Sequence, residues 1–237
     1  MIPIVKSASR YAQSFISLLY PDTCAACGVI LPGSKQILCT WCMHSLPETG
    51  YHRGNGNPVE ELFYGRIAVE RAMALLFFNK QSKYRRLIHQ LKYQGRKEIG
   101  IFLGKLIGSR IKESDFKQIP EVIIPVPLHK VKLRRRGFNQ SALIAKGISE
   151  ILNIPVREDV LIRKSFTSTQ TRKGRYERWQ NVEGIFNCIN PEIIENKHIL
   201  LVDDVVTTGA TLEAAGSCLT KVTGTKLTIA AAAYSTN

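Results

Sequence analysis

The chain of 237 residues has no apolar stretch long enough to cross a membrane, so the sequence offers no candidate transmembrane helix. A phosphate-binding loop of the form G-x-x-x-x-G-K-[ST] is also missing. The nearest run, Gly100-Ile101-Phe102-Leu103-Gly104-Lys105-Leu106, fails on spacing and on its last residue, which excludes a P-loop nucleotidase. Secretion is not expected either. Residues Lys6 to Leu19 imitate a leader, but Gln13, Ser14 and Ser17 break its apolar core and no small-x-small cleavage site follows. Tyr11, Phe15, Leu18 and Leu19 instead fit one face of an amphipathic helix, read as a docking helix of a cytoplasmic protein. Acidic residues are scarce: 19 stand against 33 Lys and Arg, a net charge of +14. None occurs from Val122 to Ser149, which holds Lys130, Lys132, Arg134, Arg135, Arg136 and Lys146. A second acid-free stretch, Val160 to Tyr176, carries Arg163, Lys164, Arg172, Lys173 and Arg175. Such fields attract polyanions, whether nucleic acid or a pyrophosphorylated substrate, although charge alone also fits a merely soluble basic surface.

Four of the six cysteines are paired as Cys24-x-x-Cys27 and Cys39-x-x-Cys42. Each pair aims two thiolates at one ion, and two pairs complete the tetrahedral sulfur set of a structural zinc site. Four thiolates leave no open position for water, so no chemistry is expected there. Two disulfides are the competing reading, but they are uncommon in the cytosol. Cys188 and Cys218 stand alone within apolar patterns and read as core residues.

The most informative run is Val202-Asp203-Asp204-Val205-Val206-Thr207-Thr208-Gly209-Ala210-Thr211. A short strand ends in two carboxylates, and a hydroxyl- and glycine-bearing turn then opens a helix. Free amides and the positive dipole end of that helix suit a phosphate, Gly209 lets the backbone approach, and the threonines add donors. Asp203 and Asp204 are placed to accept ribose hydroxyls, with room for a divalent cation. A bland reading is a helix cap followed by a turn.

Strands are expected at Arg71–Asn79, Glu121–Pro127, Val160–Arg163, His198–Val202 and Leu227–Tyr234. Helices are expected at Tyr84–Lys92, Lys97–Ile111, Asn139–Leu152 and Thr211–Lys221. This alternation implies an α/β fold with a parallel sheet flanked by helices, whose ligands bind beyond the carboxyl ends of the strands. The expected organisation is an N-terminal helix and four-cysteine zinc module over 1–50, a turn-rich linker over 51–64 and the α/β domain over 65–237.

Two further motifs follow: Pro125-Val126-Pro127-Leu128-His129 with Arg134-Arg135-Arg136-Gly137-Phe138-Asn139-Gln140-Ser141, and the basic loop from Arg163 to Val182. The first suits a pyrophosphate; the second could close over a bound ligand. Together with the cysteine knuckles and V-D-D-V-V-T-T-G-A-T, they resemble the ComF family of competence-associated, phosphoribosyltransferase-like proteins. The resemblance runs from Cys24 to the C-terminus. It implies a type I phosphoribosyltransferase fold that binds 5-phosphoribosyl diphosphate (PRPP) with Mg²⁺. In several members it also implies a role in DNA uptake with single-stranded DNA binding, and DNA-uptake proteins as partners. Carried onto this chain, Asp203 and Asp204 would hold the ribose hydroxyls and carry the catalysis. Thr207, Thr208, Gly209, Ala210 and Thr211, following Val205 and Val206, would hold the 5′-phosphate. Val126, Pro127 and Leu128 would form the pyrophosphate loop. Arg134, Arg135, Arg136, Arg172, Arg175 and Arg178 are the anion-binding candidates, and Arg172 and Lys173 depart from the small and apolar residues usual in the family's flexible loop. The same module resembles the transferase half of glutamine PRPP amidotransferases. Glutamine-dependent amidotransfer is not expected, because the chain starts Met1-Ile2-Pro3 and lacks the cysteine nucleophile and the domain that carries it.

Three functions remain open at this stage. One is pentosyl transfer to a nucleobase or amine. The second is a DNA-handling protein whose PRPP pocket serves as sensor or relic, with Trp179, Tyr176 and Phe166 stacking on a single strand. The third is a metal-regulatory module, disfavoured by a closed sulfur set.

Overall fold

The computed structural model describes residues 21–32, 36–79, 81–164 and 184–235. The expected docking helix lies outside the described residues, as does most of the basic loop, including Phe166, Arg172, Arg175, Tyr176, Arg178 and Trp179.

Four parallel strands form the main sheet: β1 (Arg71–Phe78), β2 (Val122–Pro125), β5 (His198–Val206) and β6 (Lys226–Ser235), in the order β1-β6-β5-β2. Their side chains alternate between two apolar clusters. On β5, Leu200 and Val202 face one cluster, Ile199 and Leu201 the other. On β6, Ala230 and Ala232 oppose Ile229 and Ala231 in the same way. A sheet buried on both faces needs apolar residues at every position, which is why these strands read as continuous runs. The α/β class inferred from the sequence is the class observed.

Helices α3 (Arg85–Tyr93), α4 (Lys97–Lys112) and α6 (Gln140–Leu152) cover one face; α7 (Ala210–Leu219) packs on the other. Helices α4 and α6 cross at very short range. A Cβ on Gly104 would strike the Ile144 carbonyl, and one on Gly147 would strike that of Ile101. Glycine at both places lets α6 lie close to α4, and it begins with Gln140 and Ser141.

Two expected strands change, and one helix appears where none was assigned. The strand expected to stop at Val202 runs on to Val206, so both carboxylates sit inside it, with Asp203 paired to Ala231. The strand near Val160 does not join the sheet: β3 (Leu161–Arg163) pairs antiparallel with β4 (Phe186–Cys188), forming the two ends from which the long basic loop departs. The run Lys130–Arg136 is a helix, α5, capped by the His129 ring and ended by Gly137 at φ +77°. Its sequence lacks an apolar stripe, and none of its residues is buried.

The stretch expected as a linker is packed. His52, Asn57 and Glu60 are buried, Phe63 is fully so, and Pro58–Glu61 forms a one-turn helix, α2. The cysteine module, which includes the short helix α1 (Thr40–His44), shares its core with the sheet: Cys24, Ala25, Leu31, Leu38 and Cys42 belong to the same apolar cluster as Leu87, Leu91 and Ile99.

Candidate functional site

Asp203 and Asp204 lie near the carboxyl end of β5, next to the turn that opens α7. The Asp203 Oδ1 accepts from the Ser141 hydroxyl at 2.9 Å and from the Asp204 amide at 2.8 Å. Asp204 Oδ2 lies 2.9 Å from the Lys92 ammonium. Burial, and then the neighbouring Asp204 charge, push the Asp203 carboxyl up to about 7. Beyond it, Val205 to Leu212 line an open recess together with Asp203. Thr207, Thr208, Ala210 and Thr211 are exposed there. Gly209 takes φ +77° and offers no side-chain cap, which leaves the first amides of α7 open to a ligand. A side chain at Gly209 would also press on Phe63 at 3.1 Å.

Next to β5, the Val126–Leu128 loop follows β2. Its backbone is a poorer anion donor than expected. The Val126 amide is spent on the Val202 carbonyl at 2.9 Å, and Pro127 has no N–H, so Leu128 supplies the remaining amide of the three. Side chains compensate. The Asn139 amide nitrogen donates to the Val126 carbonyl at 3.0 Å and fixes the loop to the start of α6. The three arginines diverge: Arg134 and Arg135 are exposed on α5, whereas Arg136 turns inward. It donates to Gln140 Oε1 at 3.0 Å and stacks 5.3 Å from the Tyr93 ring centroid. Among the described residues, Arg136 Nε and Gln140 Nε2 are buried donors without an acceptor. Unmet buried donors are costly, and an anion would satisfy them.

The four knuckle sulfurs lie within 4.8 Å of one another, with Cys27 and Cys39 at 3.8 Å. Bonds of about 2.3 Å to a tetrahedral zinc require sulfurs roughly 3.8 Å apart, so the set fits that ion. Gly28 at φ +82° makes the first turn, its amide donating to the Cys24 carbonyl at 2.9 Å. Burial would raise the Cys24 thiol, but the amides of Cys27, Cys39 and Ala26 outweigh it and bring it down to about 6. Burial and the neighbouring thiols push Cys42 up to about 12.

Residues 139–236 match the phosphoribosyl transferase domain family, a span that contains Ser141, both aspartates and the turn after them. Competence protein F of Haemophilus influenzae is 32% identical over 140 residues, 57% of this chain and 61% of that protein. The DNA utilization protein YhgH of Escherichia coli is 35% identical over 129 residues, 53% of this chain and 56% of that protein. Both relatives are named for competence or DNA utilization, which agrees with the resemblance to the ComF family. The chain spans about three fifths of the length of these curated relatives. Among solved structures, an adenine phosphoribosyltransferase from Leishmania tarentolae aligns with a TM-score of 0.37 at 13% identity, covering 80% of this chain and 94% of that one.

Several contacts of the site escaped the sequence reading. Lys92 and Tyr93 end α3, more than a hundred positions from the acidic pair, and looked like ordinary helix surface. Gln140 and Ser141, at the start of α6, belong to the arginine-rich motif read as suiting a pyrophosphate, but their pairing with Arg136 and Asp203 was not foreseen. Only their hydrogen-bond partners, given by the fold, mark them as part of the site.

Proposed function

We propose that the chain binds PRPP, with the ribose diol on Asp203 and Asp204, the 5′-phosphate on the Thr207–Thr211 turn, and the diphosphate between Leu128 and Arg136. One observation carries this reading: an acidic pair stands beside an uncapped helix start on one side and two buried, acceptor-less donors on the other. That is the charge sequence of an activated pentose, which bears anions at both ends and hydroxyls between. The carboxylate oxygens of Asp203 and Asp204 are hard donors suited to magnesium, which, when bound, would neutralise diphosphate oxygens. If transfer occurs, the two aspartates face the cationic ribose as the C1–O bond loosens, while Arg136 meets the departing charge. Zinc is assigned to Cys24, Cys27, Cys39 and Cys42 in a purely structural role.

The cellular role proposed is the handling of incoming single-stranded DNA in natural transformation. It is supported by the relatives named competence protein F and DNA utilization protein, and by the exposed cations Lys130, Lys132, Arg134 and Arg135 on α5. The second reading, pentosyl transfer to a nucleobase or amine without a DNA role, draws on the phosphoribosyl transferase match.

Isothermal titration tests the binding claim. PRPP with Mg²⁺ should give a saturable one-to-one isotherm that Asp203→Asn/Asp204→Asn abolishes; binding unchanged in the double variant would refute the site. Pyrophosphate release across a panel of nucleobases and amines separates the two readings.

A further inference from the structure

Lys92 sits where no part of the proposed reaction has yet used it. It lies at the end of α3, is largely buried, and its ammonium is 2.9 Å from Asp204 Oδ2. The next residue, Tyr93, stacks on Arg136, so the end of α3 bridges the acidic pair and the arginine beside the Val126–Leu128 loop. The helix is held in register from behind. Gln90 donates to the Ala25 carbonyl at 3.2 Å, and Arg96 donates to Gln90 Oε1 at 2.9 Å. The ammonium is therefore delivered by a fixed backbone, and only its own flexible stem is free to swing.

Resting on the PRPP reading above, we propose that Lys92 selects for the diphosphate of the ligand by exchanging partners. Without ligand it neutralises Asp204 and occupies the position a ribose hydroxyl would take. When a pentose arrives, its diol must displace the ammonium from the carboxylate. In PRPP the diphosphate hangs from C1, the carbon next to the hydroxyl-bearing C2, so a cation released from Asp204 has an anionic oxygen within a few bond rotations. In ribose 5-phosphate C1 carries only a hydroxyl, and the displaced ammonium loses its partner without gaining another. One residue thus penalises the spent pentose and rewards the activated one.

The test compares PRPP and ribose 5-phosphate by isothermal titration on the full chain, wild type against Lys92→Gln and Lys92→Arg, with melting temperatures as a folding control. Lys92→Gln should weaken PRPP at least tenfold while leaving ribose 5-phosphate unchanged or tighter, and Lys92→Arg should keep most of the preference. Equal changes for both ligands, or none for PRPP, would overturn the proposal. Wild-type protein that binds neither ligand defeats the PRPP reading itself, and the inference with it. A second measurement needs no variant. Reductive methylation of wild-type protein, read by mass spectrometry at Lys92, should speed up with ribose 5-phosphate and slow down with PRPP; the same rate with both overturns the exchange.

Discussion

A carboxyl group held near 7 makes Asp203 a titrating residue at ordinary pH. The sign follows from linkage. Its folded value lies above the ordinary 3.8, so the folded chain keeps a proton that the unfolded chain has lost between about 4 and 7. The stability this contributes is fully present below about 4 and is lost as pH rises through 7. Asp203→Asn should therefore raise the melting temperature by roughly a few degrees at pH 8 and change it little at pH 4, as calorimetry would read. Ligand binding runs the other way, since ribose hydroxyls and a cation both favour the ionised carboxylate. PRPP affinity should fall as pH drops from 8 to 6, with about one proton released on binding. Titration in buffers of different ionisation enthalpy measures that proton; a pH-independent affinity would contradict the assignment.

At the scale of elements, two turns decide the site. The turn into α7 depends on Gly209, whose φ of +77° strains any side chain and whose added Cβ would crowd Phe63 at 3.1 Å. Gly209→Val should cost about 1–3 kcal/mol in urea unfolding and abolish phosphate binding even where the fold survives. The second is the cysteine module, which holds α3 through Gln90 and through the Tyr84 hydroxyl, 2.9 Å from the Cys42 carbonyl. Four crowded thiols cannot all ionise without a cation among them. Stripping the metal with a chelator should lower the melting temperature and loosen α3, and PRPP affinity should drop because Lys92 loses its seat. Hydrogen exchange over residues 85–93 checks the link; unchanged protection in metal-free protein would break it.

The legibility of these elements differed for physical reasons. Strands β1, β5 and β6 and helices α4 and α6 were visible as apolar runs and periodic stripes, since both sheet faces are buried. The acidic pair and its turn stood out because the run Val202–Thr211 resembles a family motif, ten residues in order. Helix α5 carries no stripe and stayed hidden. So did the pairing of Lys92 with Asp204 and of Ser141 with Asp203, because contacts across such separations leave no local mark. The weak amide supply of the Val126–Leu128 loop was hidden too, as sequence does not say which N–H the β5 ladder takes.

For the molecule as a whole, the charge of +14 is unevenly spread, and α5 displays four exposed cations with no acidic residue between Val122 and Ser149. Single-stranded DNA should bind with an affinity that falls linearly in log–log terms with salt, and neutralising Lys130, Lys132, Arg134 and Arg135 should flatten that slope by about 0.7 for each phosphate-binding cation removed. Asp203→Asn/Asp204→Asn should leave the slope untouched, since the acidic pair lies on β5, with Asp203 in the recess, and the cations lie on the exposed helix α5. Fluorescence anisotropy at several salt concentrations reads both. The proposed function nevertheless turns on one recess and one ligand. The most direct measurement is a crystal of the zinc-loaded protein soaked with PRPP and Mg²⁺. The expected map shows the pentose hydroxyls on Asp203 and Asp204, the 5′-phosphate on the amides after Gly209, and the diphosphate beside Arg136. Density for the ligand elsewhere, with Lys92 still closed on Asp204 and the recess vacant, would contradict the account.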